Sequence, residues 1–173
     1  MKLFNLLIFS FSIFFATITY AQVNQIQDTI VGFQLDFSNG WTLKSTISTG
    51  AFDLVSYRMV NHSDTNVSCL VLAFKGTFDD AKFDQFIYKL EYDANLLIPE
   101  KISDYENFNG SNFDFKRASY MSKETGDGDI IYYLRTKNID KSNLALMVRF
   151  ALKKYDAKYL DQTLQIVKSF VQK

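Results

Sequence analysis

The chain has 173 residues, 47% of them hydrophobic and 16% aromatic, and its 19 basic residues balance 19 acidic ones for a net charge of zero. Because no block of like charge interrupts this balance, we exclude nucleic acid and an anionic membrane surface as partners. The single cysteine, Cys69, excludes an internal disulfide.

The first 21 residues have the pattern of a secretory signal peptide. Lys2 precedes an almost uninterrupted apolar stretch over residues 3–18, and small Ala21 stands at the expected cleavage position. The alternative is an uncleaved anchor, but the stretch is short for a membrane span of about 20 residues. A lipoprotein would need a cysteine at the cleavage point. We therefore predict a cleaved, soluble, periplasmic or secreted bacterial protein without stable membrane insertion.

The remaining chain shows one short leader and one domain. Residues 22–29 are polar and are predicted to form a flexible leader. From residue 30 onward no Gly/Ser/Pro-rich stretch divides the sequence, whose only proline is Pro99. Its length is close to that of a typical domain of about 100–150 residues. We predict a single domain over 30–173.

Most of this domain has the pattern of β-strands. Runs with at least partial alternation lie at 30–37, 40–47, 53–61, 112–121 and 129–138. Two other runs, 68–76 and 143–152, are apolar on both faces. Because such strands are covered from both sides, we predict that these two are central.

Two segments instead have helical spacing, and each begins with acidic residues suited to a helix N-terminus. In 79–95 the apolar stripe is Phe83, Phe86, Ile87, Leu90 and Ala94. In 156–169 it is Leu160, Leu164 and Val167, with Thr163 at the remaining position. The order of elements predicts an α+β fold, a largely antiparallel β-sheet with two main packed helices. Periodicity leaves open whether the helices share one face of the sheet.

Two side chains could support nucleophilic chemistry. His62 is the only histidine and lies in a predicted turn, but no Gly-x-Ser-x-Gly motif accompanies it. Cys69 falls within an apolar strand, where burial makes a thiol inert. We interpret them as a solvated loop histidine and a buried cysteine. No Cys/His cluster is present to bind zinc.

Acidic residues form two further candidate groups. Glu124, Asp127 and Asp129 could ligate calcium, but they lack the spacing and terminal glutamate of an EF-hand loop, so a polar hairpin is the preferred interpretation. A carboxylate pair for glycoside hydrolysis could come from Glu91, Asp93, Glu100, Asp104 and Glu106. Nothing in their spacing distinguishes two of them. We predict no catalytic residue, no metal site and no cofactor.

Aromatic residues are abundant, with 17 Phe, 10 Tyr and 1 Trp. They are crowded in the stretch "YENFNGSNFDFKRASY" over 105–120, which could line a groove for a hydrophobic ligand or a partner; core packing is the alternative. The candidate binding residues are Tyr105, Phe108, Phe113, Phe115, Arg117 and Tyr120.

Three stretches resemble the PsbP-like family, whose fold is shared by the extrinsic photosystem II subunit and a Ran-binding nuclear transport factor. They are "FQLDFSNGWTLKS" (33–45), "FNGSNFDFKRASY" (108–120) and "YLDQTLQIVKSFV" (159–171). The resemblance implies an α/β/α sandwich that is usually non-catalytic and acts by binding a partner. The family's turn proline is replaced here by Ser38 and Asn39, and the histidine-containing metal sites of some members have no match.

These observations favour a non-catalytic, secreted or periplasmic binding or assembly module for a protein partner or a small hydrophobic ligand. The alternative is a small hydrolase that uses carboxylates or His62. A surface-associated structural component without a discrete site is a third possibility.

Overall fold

The computed structural model describes residues 25–38, 40–49, 54–93, 97–137 and 143–173. The predicted signal peptide over 1–21 and residues 22–24 of the predicted leader lie outside this range. The described strands are β1 (Gln25–Asp28), β2 (Phe33–Asp36), β3 (Trp41–Thr49), β4 (Leu54–Asn61), β5 (Val67–Gly76), β6 (Glu100–Lys101), β7 (Glu106–Asn109), β8 (Phe113–Met121), β9 (Gly128–Thr136), β10 (Asn143–Leu152) and β11 (Val171–Gln172). The described helices are α1 (Asp80–Tyr88), continued by a π-helical turn (Lys89–Asp93), and α2 (Tyr159–Lys168). None of the described helices is long and apolar enough to cross a membrane.

The main sheet has the strand order β3-β4-β5-β10-β9-β8-β6, with β7 also paired to β8. Its pairings are all antiparallel. Strands β5 and β10 lie side by side in its middle and pair over ten residues each, from Asn143 opposite Gly76 to Leu152 opposite Val67. The prediction that these two strands are central is confirmed.

The two helices lie on opposite faces of the main sheet. On one face, here called the α2 face, α2 and a small sheet of order β1-β2-β11 enclose a core that includes Trp41, Tyr132 and Phe150. On the other, the α1 face, Phe83 and Ile87 of α1 pack with a second group of buried sheet residues. The α+β fold is confirmed, and its layers form an α/β/α sandwich.

The predicted flexible leader is wrong for residues 25–28, which form β1 and pair with β2. Ile26 is buried in the core of the α2 face. The buried Asp28 carboxylate accepts hydrogen bonds from the Val31 backbone N–H at 2.6 Å and the Tyr57 hydroxyl at 2.5 Å. The polar composition of residues 25–28 is misleading because Gln25 and Gln27 lie on the exposed side of the strand. The third polar side chain, that of Asp28, is buried but has hydrogen-bond partners in the following turn and in β4.

Helix α1 begins as predicted, because the Asp79 side chain accepts a hydrogen bond from the Lys82 backbone N–H at 2.8 Å and caps the helix. Its predicted stripe is buried from Phe83 to Leu90. The last stripe residue, Ala94, lies outside the described residues.

Helix α2 differs from its prediction in start and in rotation. It begins at Tyr159 rather than near Asp156, whose side chain instead accepts from the Lys158 backbone N–H at 2.9 Å in the preceding turn. Its buried residues are Tyr159, Thr163, Ile166 and Val167, while Leu160 and Leu164 are partly buried. The buried side is rotated because Tyr159 and Ile166, which are off the predicted stripe, are buried. Thr163 is buried as its place on the stripe predicts, and its hydroxyl lies 2.8 Å from that of buried Tyr132.

Candidate functional site

Helix α1 covers one half of its sheet face and leaves the other half open. The buried sheet residues of this face belong to β8, β9 and β10, for example Ala118, Tyr133 and Met147. On the β3-β4-β5 half, Leu72 is partly buried and Ile47 is exposed. The packing of α1 extends to β5, where the Phe74 ring centroid lies 5.2 Å from that of Phe86, but the cluster around α1 includes no described residue of β3 or β4. We call the rest of this face, which is β3, β4 and the ends of β5, β10 and β9 near Ser68, Ala151 and Asp129, the open face.

A groove lies at the end of the open face nearest the β8-β9 hairpin. Its volume is about 850 Å³. Leu97 and Pro99, which follow the π-helical turn, form part of its rim. The side chains of its floor and walls include Arg58, Val60, His62, Asp129, Arg149 and Ala151.

Strand register brings the floor residues together in two rows. In the first row Val60 lies opposite Ser68, which lies opposite Ala151, which in turn lies opposite Asp129. In the next row of the same face, Arg58 lies opposite Leu70 and Leu70 opposite Arg149. The side chains of the first row are small, with apolar Val60 and Ala151 on either side of the Ser68 hydroxyl and Asp129 at the end. In the second row Leu70 lies between the guanidinium groups of Arg58 and Arg149.

Arg149 and Asp129 form a bidentate ion pair at the inner end of this floor. The Arg149 Nε donates to Asp129 Oδ1 at 2.9 Å, and Nη2 donates to Oδ2 at 2.8 Å. The Asp129 side chain is only 2% exposed. Its burial raises the pKa of the carboxyl, and the hydrogen bonds and positive charge of Arg149 oppose that rise. Arg149 thus stabilises the buried Asp129 carboxylate at the bottom of the groove.

Three of the candidate residues for the hydrolase alternative, His62, Glu100 and Glu106, are engaged in separate interactions. His62 Nε2 lies 2.8 Å from the Thr42 hydroxyl. Glu106 pairs with Arg117 at 2.6 Å, and Glu100 pairs with Lys123 at 2.6 Å. Among the described residues, no group of three or more His, Cys, Asp and Glu side chains is arranged to hold a metal ion.

Cys69 and most of the acidic hairpin are located as their sequence interpretation predicts. Cys69 is buried, and burial raises the pKa of its thiol well above the ordinary value. Residues 122–127 connect β8 to β9 as a polar hairpin, in which the Ser122 backbone N–H donates to the Asp127 carbonyl at 2.8 Å. The interpretation of Cys69 is confirmed, and residues 122–127 form the polar hairpin, but Asp129 does not belong to it: this residue is buried in β9 and pairs with Arg149.

The six predicted aromatic-site residues are divided between the two faces of the sheet, because side chains alternate along β8. On the α2 face, Phe108 stacks on Phe115 with ring centroids 4.4 Å apart, Phe113 lies beside Phe115, and the Arg117 guanidinium lies 5.5 Å from the Phe108 ring. Tyr105 and Tyr120 lie on the α1 face with Glu91. Phe115 and Tyr120 are 5% and 2% exposed, so the six residues do not line one groove.

Glu91 and three tyrosines form a cluster that the sequence analysis missed. The Glu91 Oε1 accepts hydrogen bonds from the hydroxyls of Tyr105 at 2.6 Å, of Tyr133 at 3.3 Å and of Tyr120. Burial is the largest of the causes that raise the pKa of each hydroxyl, so all three stay protonated and donate to the carboxylate. This cluster attaches the π-helical turn to β8 and β9. No local sequence pattern links its members, because each comes from a different element. Glu91 lies in the π-helical turn, Tyr105 in the loop before β7, Tyr120 in β8 and Tyr133 in β9.

Two solved structures are among those whose fold matches this chain. A crystal structure of a protein from Bacteroides thetaiotaomicron has a TM-score of 0.52 and 15% identity, and the match covers 88% of this chain and 49% of the other, so this chain spans about half the length of that protein. The solution structure of cyanobacterial PsbP (CyanoP) from Synechocystis has a TM-score of 0.56 and 14% identity, over 91% of this chain and 96% of the other. No protein family model and no curated protein sequence matches the chain. At these identities the likeness concerns the fold, and the predicted PsbP-like fold is confirmed.

Proposed function

We propose that this chain, which has a PsbP-like fold, is a non-catalytic binding module that holds a small, partly apolar ligand in the groove of the open face. One observation carries the proposal: the part of the sheet face that α1 leaves uncovered ends in a concave groove formed by described residues. The groove volume of about 850 Å³ falls within the range of about 300–1,000 Å³ that is usual for small-molecule sites.

The lining favours a small ligand over the flat contact of two proteins. Val60 and Ala151 supply an apolar floor, and a few polar groups converge on it from the strand ends and the hairpin. The aromatic stretch over 105–120 is a weaker candidate, because its members already pack against one another or against the core. The alternative is a protein partner at the open face. It would remain as a candidate if the small ligands tested below do not bind.

Isothermal titration of the full chain with decanol, a neutral amphiphile, tests this proposal. We expect saturable binding that Ala151→Phe weakens by about tenfold or more, because the added ring fills the floor of the groove. Ser56→Phe is the matched control: it adds the same ring to a partly buried position of β4 on the same face, outside the groove lining. Absence of binding to decanol and decanoate alike, or equal effects of the two variants, would overturn the proposal.

The hydrolase alternative predicts a different result. It requires turnover of an ester such as p-nitrophenyl decanoate that His62→Ala abolishes while the variant keeps its fold. The proposed binding module predicts no enzyme-dependent release of nitrophenol, either by the wild-type chain or by that variant.

Export of the chain is part of the same proposal and is supported by the predicted signal peptide. Cleavage after Ala21 would deliver a mature protein that begins at Gln22. Amino-terminal sequencing of the protein recovered from a bacterial envelope fraction measures this directly. A sequence that starts at Met1 would contradict it.

A further inference from the structure

The groove is a locally basic region of a chain whose net charge is zero. Among the described residues of its lining, four cationic side chains stand against two carboxylates, an excess of two positive charges. The cationic residues are Lys44, Arg58, Arg149 and Lys153, and the carboxylates are Asp127 and Asp129. A concave site with one sign of charge in excess raises the local concentration of ligands of the opposite sign.

Arg149 and Arg58 hold different positions in this charge pattern. Two nitrogens of Arg149 are used by the buried Asp129 carboxylate. Arg58 is exposed, and no carboxylate in the described part of the chain forms a salt bridge with it. The two arginines stand on either side of Leu70, about 10 Å apart across two interstrand spacings. Arg58 is therefore the guanidinium available to an incoming anion.

Apolar surface begins directly beside Arg58. The neighbouring row of the sheet contributes Val60 and Ala151 to the floor, and the Leu97 side chain is 86% exposed at the rim. Leu97 also has a φ of 49°, in the left-handed region that leucine rarely adopts, and such backbone strain is concentrated at ligand-binding sites. An apolar group lying on the floor would reach this exposed side chain.

We propose that the ligand of the groove is a small amphiphile with a carboxylate head, which pairs with Arg58, and a short hydrocarbon body, which lies over Val60 and Ala151 toward Leu97. This inference rests on the proposed function, because it assigns the ligand class of the same groove. The planar guanidinium matches a carboxylate through two parallel N–H donors, and this geometry selects it over a neutral hydroxyl head.

Titration of the full chain with decanoate, decanol and decyltrimethylammonium tests the head group while the hydrocarbon body stays constant. We expect decanoate to bind about tenfold more tightly than decanol and the cation to bind most weakly. Arg58→Gln should reduce decanoate affinity about tenfold, to that of decanol, and leave decanol affinity unchanged. Lys168→Gln removes the same charge from the exposed end of α2 on the opposite face of the sheet and should leave both affinities unchanged.

The outcomes separate this inference from the proposed function. If decanol binds as tightly as decanoate, or if Arg58→Gln leaves the preference for decanoate intact, the carboxylate assignment is overturned and the groove still holds an apolar ligand. If none of the three probes binds, the proposed function itself is overturned. Decanoate affinity that falls with rising salt, while decanol affinity does not, would further support the pairing with Arg58.

Discussion

Replacing Arg149 with methionine is expected to lower the free energy of unfolding by about 3–5 kcal/mol, because it leaves the buried Asp129 carboxylate without its counter-charge. Methionine conserves much of the side-chain length, so the loss is electrostatic more than steric. Urea denaturation followed by tryptophan fluorescence measures it through the single Trp41, which is buried in the core. The midpoint should fall while the slope of the transition is unchanged.

This loss should depend on pH in a defined direction. Burial already raises the pKa of Asp129, and removal of Arg149 takes away the interactions that oppose the rise. The folded-state pKa of the variant therefore lies above the unfolded value, and its folded state is favoured as pH falls through that pKa and disfavoured as pH rises. We expect the stability difference between Arg149→Met and the wild type to be smaller at about pH 4.5 than at about pH 7.

Two controls distinguish the buried pair from ion pairs in general. Lys123→Met breaks the exposed pair with Glu100 and should leave the urea midpoint nearly unchanged, because solvent screens the interaction of exposed charges. Combining Asp129→Leu with Arg149→Met removes both charges, and the double variant should be more stable than Arg149→Met alone. A double variant that is no more stable than the single one would show that the lost charge pairing does not cause the destabilisation.

Glu91→Ala is the second substitution from which we expect a large effect, a loss of about 3 kcal/mol in the free energy of unfolding. The change leaves the hydroxyls of Tyr105, Tyr120 and Tyr133 without their shared acceptor, and each unsatisfied buried polar group is costly. Hydrogen exchange should also become faster in the π-helical turn, because the cluster attaches that turn to the sheet. Denaturation and peptide-level exchange measure the two effects.

The controls for Glu91 separate its hydrogen bonds from the general effect of removing a carboxylate. Glu91→Gln retains an amide oxygen as acceptor and should cost less than the alanine variant. Glu124→Ala removes an exposed carboxylate from the β8-β9 hairpin and should change stability by no more than about 0.5 kcal/mol. Equal losses from Glu91→Ala and Glu124→Ala would mean that the cluster does not stabilise the fold.

Elements whose burial is encoded locally were predicted well. The two-faced apolar runs of β5 and β10 predicted central strands, and the Phe83 to Leu90 stripe predicted the face of α1 that packs on the sheet. In each case the apolar side chains themselves make the buried contacts, so a pattern read along one segment is sufficient.

Elements that bury polar groups were predicted less well. Strand β9 is covered on both faces. Its sequence nevertheless includes Asp129, Tyr132 and Tyr133, whose polar groups would indicate a partly exposed strand. Asp129 is satisfied by Arg149, and the two tyrosine hydroxyls by partners in α2 and in the π-helical turn. The same dependence on distant partners hid the strand over residues 25–28 of the predicted leader, where Tyr57 donates to the buried Asp28 carboxylate.

The sequence by itself determined the class of fold, the central strands, the placement of the first helix and the family resemblance, because all of these follow from periodicity or from short contiguous motifs. Tertiary structure alone decided the candidate site. Alternation along β8 divided the contiguous aromatic residues between two faces, and the register of β4, β5, β10 and β9 assembled the groove from residues far apart in the chain. Whether a sheet face is a binding surface depends on which half a helix covers, and that is a property of packing between elements.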